Sequence, residues 1–162
     1  WSTNLLNILF STCKNSLIEL ISKELGWNYS KVVKQYLPFD GYLGGDMNCM
    51  LVIDDYYKFT TYRLKTLELY VDSFKTSYSV DEHISLCKTH KKEADNYQRN
   101  KTRKDFDFEG GASAKRALYD VMMDLKPLYN ELNPTMRLHE FELEDINSKT
   151  KLENLIEDKL KS

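Results

Sequence analysis

Cysteine is scarce in this sequence: Cys13, Cys49 and Cys87 are an odd set with no close pairing pattern. A secreted disulfide scaffold carries an even, dense set, so that class is excluded and a reducing, intracellular setting is expected. Long apolar runs are missing too. The richest stretch, Leu5 to Leu25, is broken by Asn7, Lys14, Asn15, Glu19, Lys23 and Glu24, which a bilayer-spanning helix would not carry along its length, so no membrane partner is expected. Nor does either sign of charge dominate. Lys and Arg number 23 against 25 Asp and Glu, for a net charge of -2, so any nucleic-acid binding has to come from a local patch. There is no G-x-S-x-G, and the pairs Gly44-Gly45 and Gly110-Gly111 lack the pattern of a phosphate loop; both read as ordinary loops. The chain opens at Trp1, with no initiator Met and no basic-then-apolar leader, from which a fragment of a larger protein or a processed chain is expected.

What is present is globular in character, with 41% hydrophobic and 30% charged residues in a chain of 162. That length suits one core, and a single helical domain over 1–162 is expected. Leu5, Leu6, Leu9, Cys13, Leu17, Leu20 and Ile21 recur at spacings of three and four, which predicts a first helix ending before Gly26. A short helix from Ser30 should stop at Pro38, and PFDGYLGGD over 38–46 reads as a loop. The apolar run 48–53 is read as a strand. Leu64, Leu67, Val71, Phe74 and Tyr78 predict one long helix. Ser79 to Glu82 has the form of a capping box opening another helix, and the polar run Gln98 to Gly111 reads as an exposed, mobile loop. Ser113 is then expected to cap a helix that Pro127 interrupts. Residues 136–143 read as a second short strand, and Ser148 leads a terminal helix. The fold class expected is mainly α: a bundle of about five or six helices with up to two short strands.

Two motifs invite chemistry. His83, Cys87 and His90 project within roughly 60° of one another on a helix and are zinc-type ligands. A closed zinc site needs a fourth ligand, with Cys13, Cys49 and His139 the candidates, and none is adjacent in sequence. Our expectation is therefore that these three do not bind zinc and that no cofactor is held. The second motif is basic: Lys88, Lys91, Lys92, Arg99, Lys101, Arg103 and Lys104, with Tyr97 interleaved. Such a segment, 88–104, suits phosphate neutralisation and base stacking, although Asp105, Asp107 and Glu109 follow directly and weaken its field. The carboxylates Asp40, Asp46, Asp54 and Asp55, and the pair Glu68 and Asp72, would serve acid–base or Mg²⁺ chemistry only if they converged.

With strong helical patterning and no catalytic signature, the leading expectation is a non-catalytic protein-interaction domain of a larger intracellular protein. Its partner would be another protein or another region of the parent chain. Nucleic-acid binding through 88–104 is the alternative, and a metal-dependent enzyme is the second alternative.

Overall fold

The computed structural model describes residues 17–25, 39–70 and 75–161. The chain is mainly α, with a small three-stranded sheet. Six helices are described: α1 over residues 17–24, α2 Thr61–Leu67, α3 Val80–Gln98, α4 Gly111–Leu125, α5 Glu140–Leu143 and α6 Lys149–Lys161. Among the described residues, no helix is long and apolar enough to cross a membrane.

The sheet has the order β1-β2-β3, built from Gly41–Leu43, Cys49–Asp54 and Met136–His139. β1 and β2 are antiparallel, with Gly41 opposite Leu51. β2 and β3 are parallel, with Val52 opposite Arg137 and Asp54 opposite His139. A parallel pair needs a crossover, and here the crossover carries α2, α3 and α4 across the sheet. On β2 the side chains of Met50, Val52 and Asp54 are buried while Ile53 is exposed, the alternation of a strand with one face on the core.

α4 is central. Ala114, Ala117, Leu118, Val121 and Leu125 fall on one helical face and pack with Ile18, Ile21 and Leu25 of the α1 region and with Phe106. A second cluster, Phe59, Leu64, Leu67, Tyr78 and Cys87, joins α2 to α3. α4 ends at Leu125, where Pro127 cannot donate to the helical ladder, and the chain continues as a 3-10 turn over Lys126–Tyr129.

Several expectations are corrected. The long helix through Tyr78 stops at Leu67: Thr60 caps α2, and the amides of Leu69 and Tyr70 turn back to Thr66 and Leu67. The physical reason lies outside the segment, because the hydroxyls of Tyr70 and Tyr78 both donate to Asp124 Oδ2, at 2.6 and 2.8 Å. Eight residues of helix would separate their backbones by about 12 Å. α4 has its N-cap at Gly110 rather than at Ser113, which places Ser113 inside the first turn. Ser79 does cap α3 by accepting from the Glu82 amide at 3.1 Å, but the Glu82 carboxylate faces His139 Nε2 at 3.6 Å. The full capping box is His139 with Glu142, which ends the strand expected to reach residue 143 and starts α5. The 38–46 loop contributes β1. The 98–111 segment is exposed over much of its length, as expected, but it has anchors the reading lacked: Phe106 is only 2% exposed, and the amides of Gly110 and Ala112 donate to the carbonyls of Arg99 and Lys101. Most of the first expected helix, all of the one from Ser30, and Cys13 lie outside the described residues.

Candidate functional site

The interior holds more charge than any motif in the sequence announces. Arg137 sits in β3 with 0% exposure. Its Nε donates to Asp124 Oδ1 at 2.7 Å, and its Nη1 donates to Asp54 Oδ1 at 2.8 Å and Asp120 Oδ1 at 3.2 Å. Nη2 reaches the Asp120 carbonyl at 3.0 Å. Arg63 of α2 donates to Asp124 Oδ2 and to the Tyr78 hydroxyl, each at 3.0 Å. Asp54 is also met by Lys58 at 3.0 Å and by His83 Nε2 at 3.3 Å. A buried charge survives only when paired and hydrogen-bonded, which this arrangement supplies from β2, α2, α3, α4 and β3, with Lys58 from the turn after β2. Burial alone would raise the Asp54 carboxyl, but Arg137, the His83 hydrogen bond and Lys58 outweigh it and hold it well below the usual range. Burial acts the same way on Asp124, and Arg137 and Arg63 again prevail to lower it.

The zinc-type trio is spread along α3 with separate partners. His83 Nδ1 lies 3.2 Å from the Ser79 carbonyl and its other nitrogen faces Asp54. Burial pushes the Cys87 thiol up to about 12, which disfavours the thiolate a metal requires. His90 stacks on Phe141, with ring centroids 4.8 Å apart. Among the described residues, no three His, Cys, Asp or Glu side chains are grouped to hold a metal ion. Of the sequence-noted acids Asp54 turns inward, while Asp55 meets Arg116 at 3.4 Å and Asp40 accepts from the Ile53 amide at 2.7 Å. Asp72 lies outside the described residues.

On the outer side of this network α3, the 98–111 segment, α4 and the end of β2 enclose a cleft of about 770 Å³. Its walls bear five cations, Lys58, Lys101, Arg103, Lys115 and Arg116, and three carboxylates, Asp40, Asp55 and Asp120. Lys58 is committed to Asp54 and the Ile53 carbonyl, and Arg116 to Asp55. Among the described residues, Lys101, Arg103 and Lys115 have no carboxylate partner. Tyr57 and Tyr97 stack on the cleft wall with centroids 3.6 Å apart and planes 18° apart, and Lys101 Nζ lies 4.6 Å from the Tyr97 ring. Lys115 Nζ lies 5.4 Å from the Tyr119 ring. Asp120 forms part of the floor; it is 4% exposed, and its Oδ2 has no hydrogen-bond partner among the described residues.

The basic segment is thus divided by the fold. Tyr97, Lys101 and Arg103 line the cleft, while Lys92 and Arg99 line a separate depression of about 540 Å³ at the start of α4. Lys88, Lys91 and Lys104 line neither. Lys58, Lys115 and Arg116 were not singled out from sequence, nor were Arg63, Asp120, Asp124 and Arg137. The available signals were Asp120 and Asp124 one turn apart in the apolar run ALYDVMMDL, and an arginine inside the short strand MRLH. Comparison with protein-family models, with curated proteins and with solved structures finds no match to this chain.

Proposed function

We propose that this protein binds single-stranded nucleic acid in the cleft between α3 and α4. One observation carries the reading: Lys101, Arg103 and Lys115 line a single concave surface with no carboxylate partner among the described residues, beside the stacked Tyr57–Tyr97 pair. Cations along a groove neutralise backbone phosphates, and an aromatic face accepts a base whatever its identity. Tyr97 is 51% exposed, and a base would stack on it by displacing the Lys101 ammonium that lies over its ring. The net charge of -2 is no obstacle, because the attraction is local and, of the acids flanking the segment, Glu109 is spent on Arg99. The test is fluorescence anisotropy of a labelled single-stranded oligonucleotide over a range of salt. Affinity should fall steeply as salt rises, and Lys115→Ala should reduce the slope by about one. Tyr97→Ala should weaken binding by about 1–3 kcal/mol. Absence of binding at low salt, or binding indifferent to salt, contradicts the proposal.

Docking of another protein is a second reading, favoured by exposed Phe39, Tyr42 and Ile53 at the β1–β2 end of the sheet. A photo-crosslinker at position 53 that joins no partner species in cells would count against it.

A further inference from the structure

The chain changes character at His139. All four residues of β3 are buried, and His139, the last of them, is 5% exposed; over residues 140–160, which carry α5 and nearly all of α6, none is buried. The capping box holds this junction. Glu142 donates its amide to His139 Nδ1 at 3.2 Å and accepts the His139 amide on Oε2 at 3.0 Å. Its other carboxylate oxygen meets Lys159 of α6, so one residue joins the cap to the terminal helix. Phe141 of α5 stacks on Phe59 of the core, with centroids 5.9 Å apart.

A backbone amide can only donate, so the Nδ1 that receives it carries no proton: His139 is neutral in this fold, with its proton on Nε2. We infer that His139 is a proton-operated latch, which on taking a proton at Nδ1 gives up the N-cap of α5 and releases α5 and α6 from a sheet and core that stay folded. The imidazolium donates from both nitrogens, and two donors facing each other cannot bond. A helix of four residues cannot make up for a lost cap by its own length, and a segment without a buried residue opens ahead of the rest. The charged groups around the ring are Glu82 and His83 on α3, Glu142 on α5, Lys159 on α6, and Asp54 opposite it on β2. Burial disfavours the charged ring, with His83 and Lys159 acting in the same sense. Together they outweigh the pull of Glu142 and Glu82, which lie 3.5 and 3.6 Å from Nε2. Asp54 is committed to Arg137, Lys58 and His83. The closed latch thus resists a proton that the released chain accepts. It opens as pH falls below the ordinary histidine range, by at most about tenfold per pH unit. This device does not rest on the nucleic-acid reading of the cleft.

The experiment is two-dimensional NMR of the isotopically labelled intact chain from about pH 7.5 to about pH 4.5, which brackets the ordinary histidine value. The His139 ring should have a bare Nδ1 at the top of this range and gain its proton in one step. Over the same step the amides of residues 140–161 should leave their native positions, while those of α4 and β2 keep theirs. His139→Asn caps through its side-chain oxygen and takes up no proton, so its C-terminal amides should stay native throughout. His139→Ala removes the cap without adding charge and should show the released pattern at every pH. His83→Gln leaves the cap in place and should keep the step. The first two readouts use wild-type protein alone and stand even where a variant fails to fold. The inference is overturned if Nδ1 is protonated at the top of the range, or if it gains its proton while the amides of residues 140–161 stay native. Loss of those amides together with the α4 and β2 amides overturns it too, as does release of His139→Asn at the same pH as wild type.

Discussion

Two charged regions meet on α4, and they obey opposite rules. Inward, Arg137 and Arg63 are each matched by carboxylates of Asp54, Asp120 or Asp124. Outward, Lys101, Arg103 and Lys115 face the cleft with no such match among the described residues. The difference is one of solvent. Away from water an unpaired ion costs several kcal/mol, so folding forces every charge into a pair; at the surface water solvates the cation and pairing becomes optional. Pairing in the interior therefore reports structure, whereas unpaired cations gathered in a concavity report readiness for an anionic ligand. Asp120 belongs to both regions, with Oδ1 held by Arg137 and Oδ2 without a hydrogen-bond partner among the described residues.

The comparison is broken or sharpened by a graded series of measurements. Arg137→Met keeps most of the side-chain volume but leaves Asp54 and Asp124 facing each other's field without their main cation. It should cost about 3–5 kcal/mol in urea denaturation, and a loss under 1 kcal/mol would show that the network is not structural. Phe106→Ala, which empties the anchor of the 98–111 segment, should cost about 3 kcal/mol or more. It should also raise amide exchange across that segment; unchanged exchange would mean that the backbone pairings alone hold it.

Acidification should act more gradually. Burial holds the His139 imidazole below its ordinary value, so the unfolded chain takes up its proton first and stability falls as pH drops below the ordinary histidine range. Asp54 and Asp124 are depressed carboxyls, so their contribution is complete above the ordinary carboxylate range and disappears as pH falls through their lower folded values. Each proton taken up adds a slope of at most about 1.4 kcal/mol per pH unit. Chemical denaturation at stepped pH checks this, and a stability that rises on acidification would contradict it. The smallest effect belongs to the cleft. Lys115→Ala should change stability by no more than about 0.5 kcal/mol, and a larger loss would mean that the cleft cations, too, are part of the scaffold.

How far the site was legible in the sequence follows the same division. Tyr97, Lys101 and Arg103 were visible as a local run, because exposed charge and aromatic content sit in consecutive residues. Lys58, Lys115 and Arg116 complete the cleft from segments distant in the chain, and nothing in their own neighbourhoods marks them. The network was less legible still, since Arg63, Asp124 and Arg137 are separated by 61 and 13 positions along the chain, and the apolar surroundings of Asp124 and Arg137 mark them as buried without saying which partner each meets.

Local periodicity and local stereochemistry were enough to place α3, α4, β2 and the break at Pro127, because apolar spacing and a missing amide act within a few residues. The early stop of α2, the burial of Phe106 and the union of Arg137 with Asp54, Asp120 and Asp124 were decided only when the helices crossed the sheet. A hydroxyl or guanidinium finds its partner through space, and the low-dielectric interior makes that partner obligatory even against the helical preference of the intervening chain.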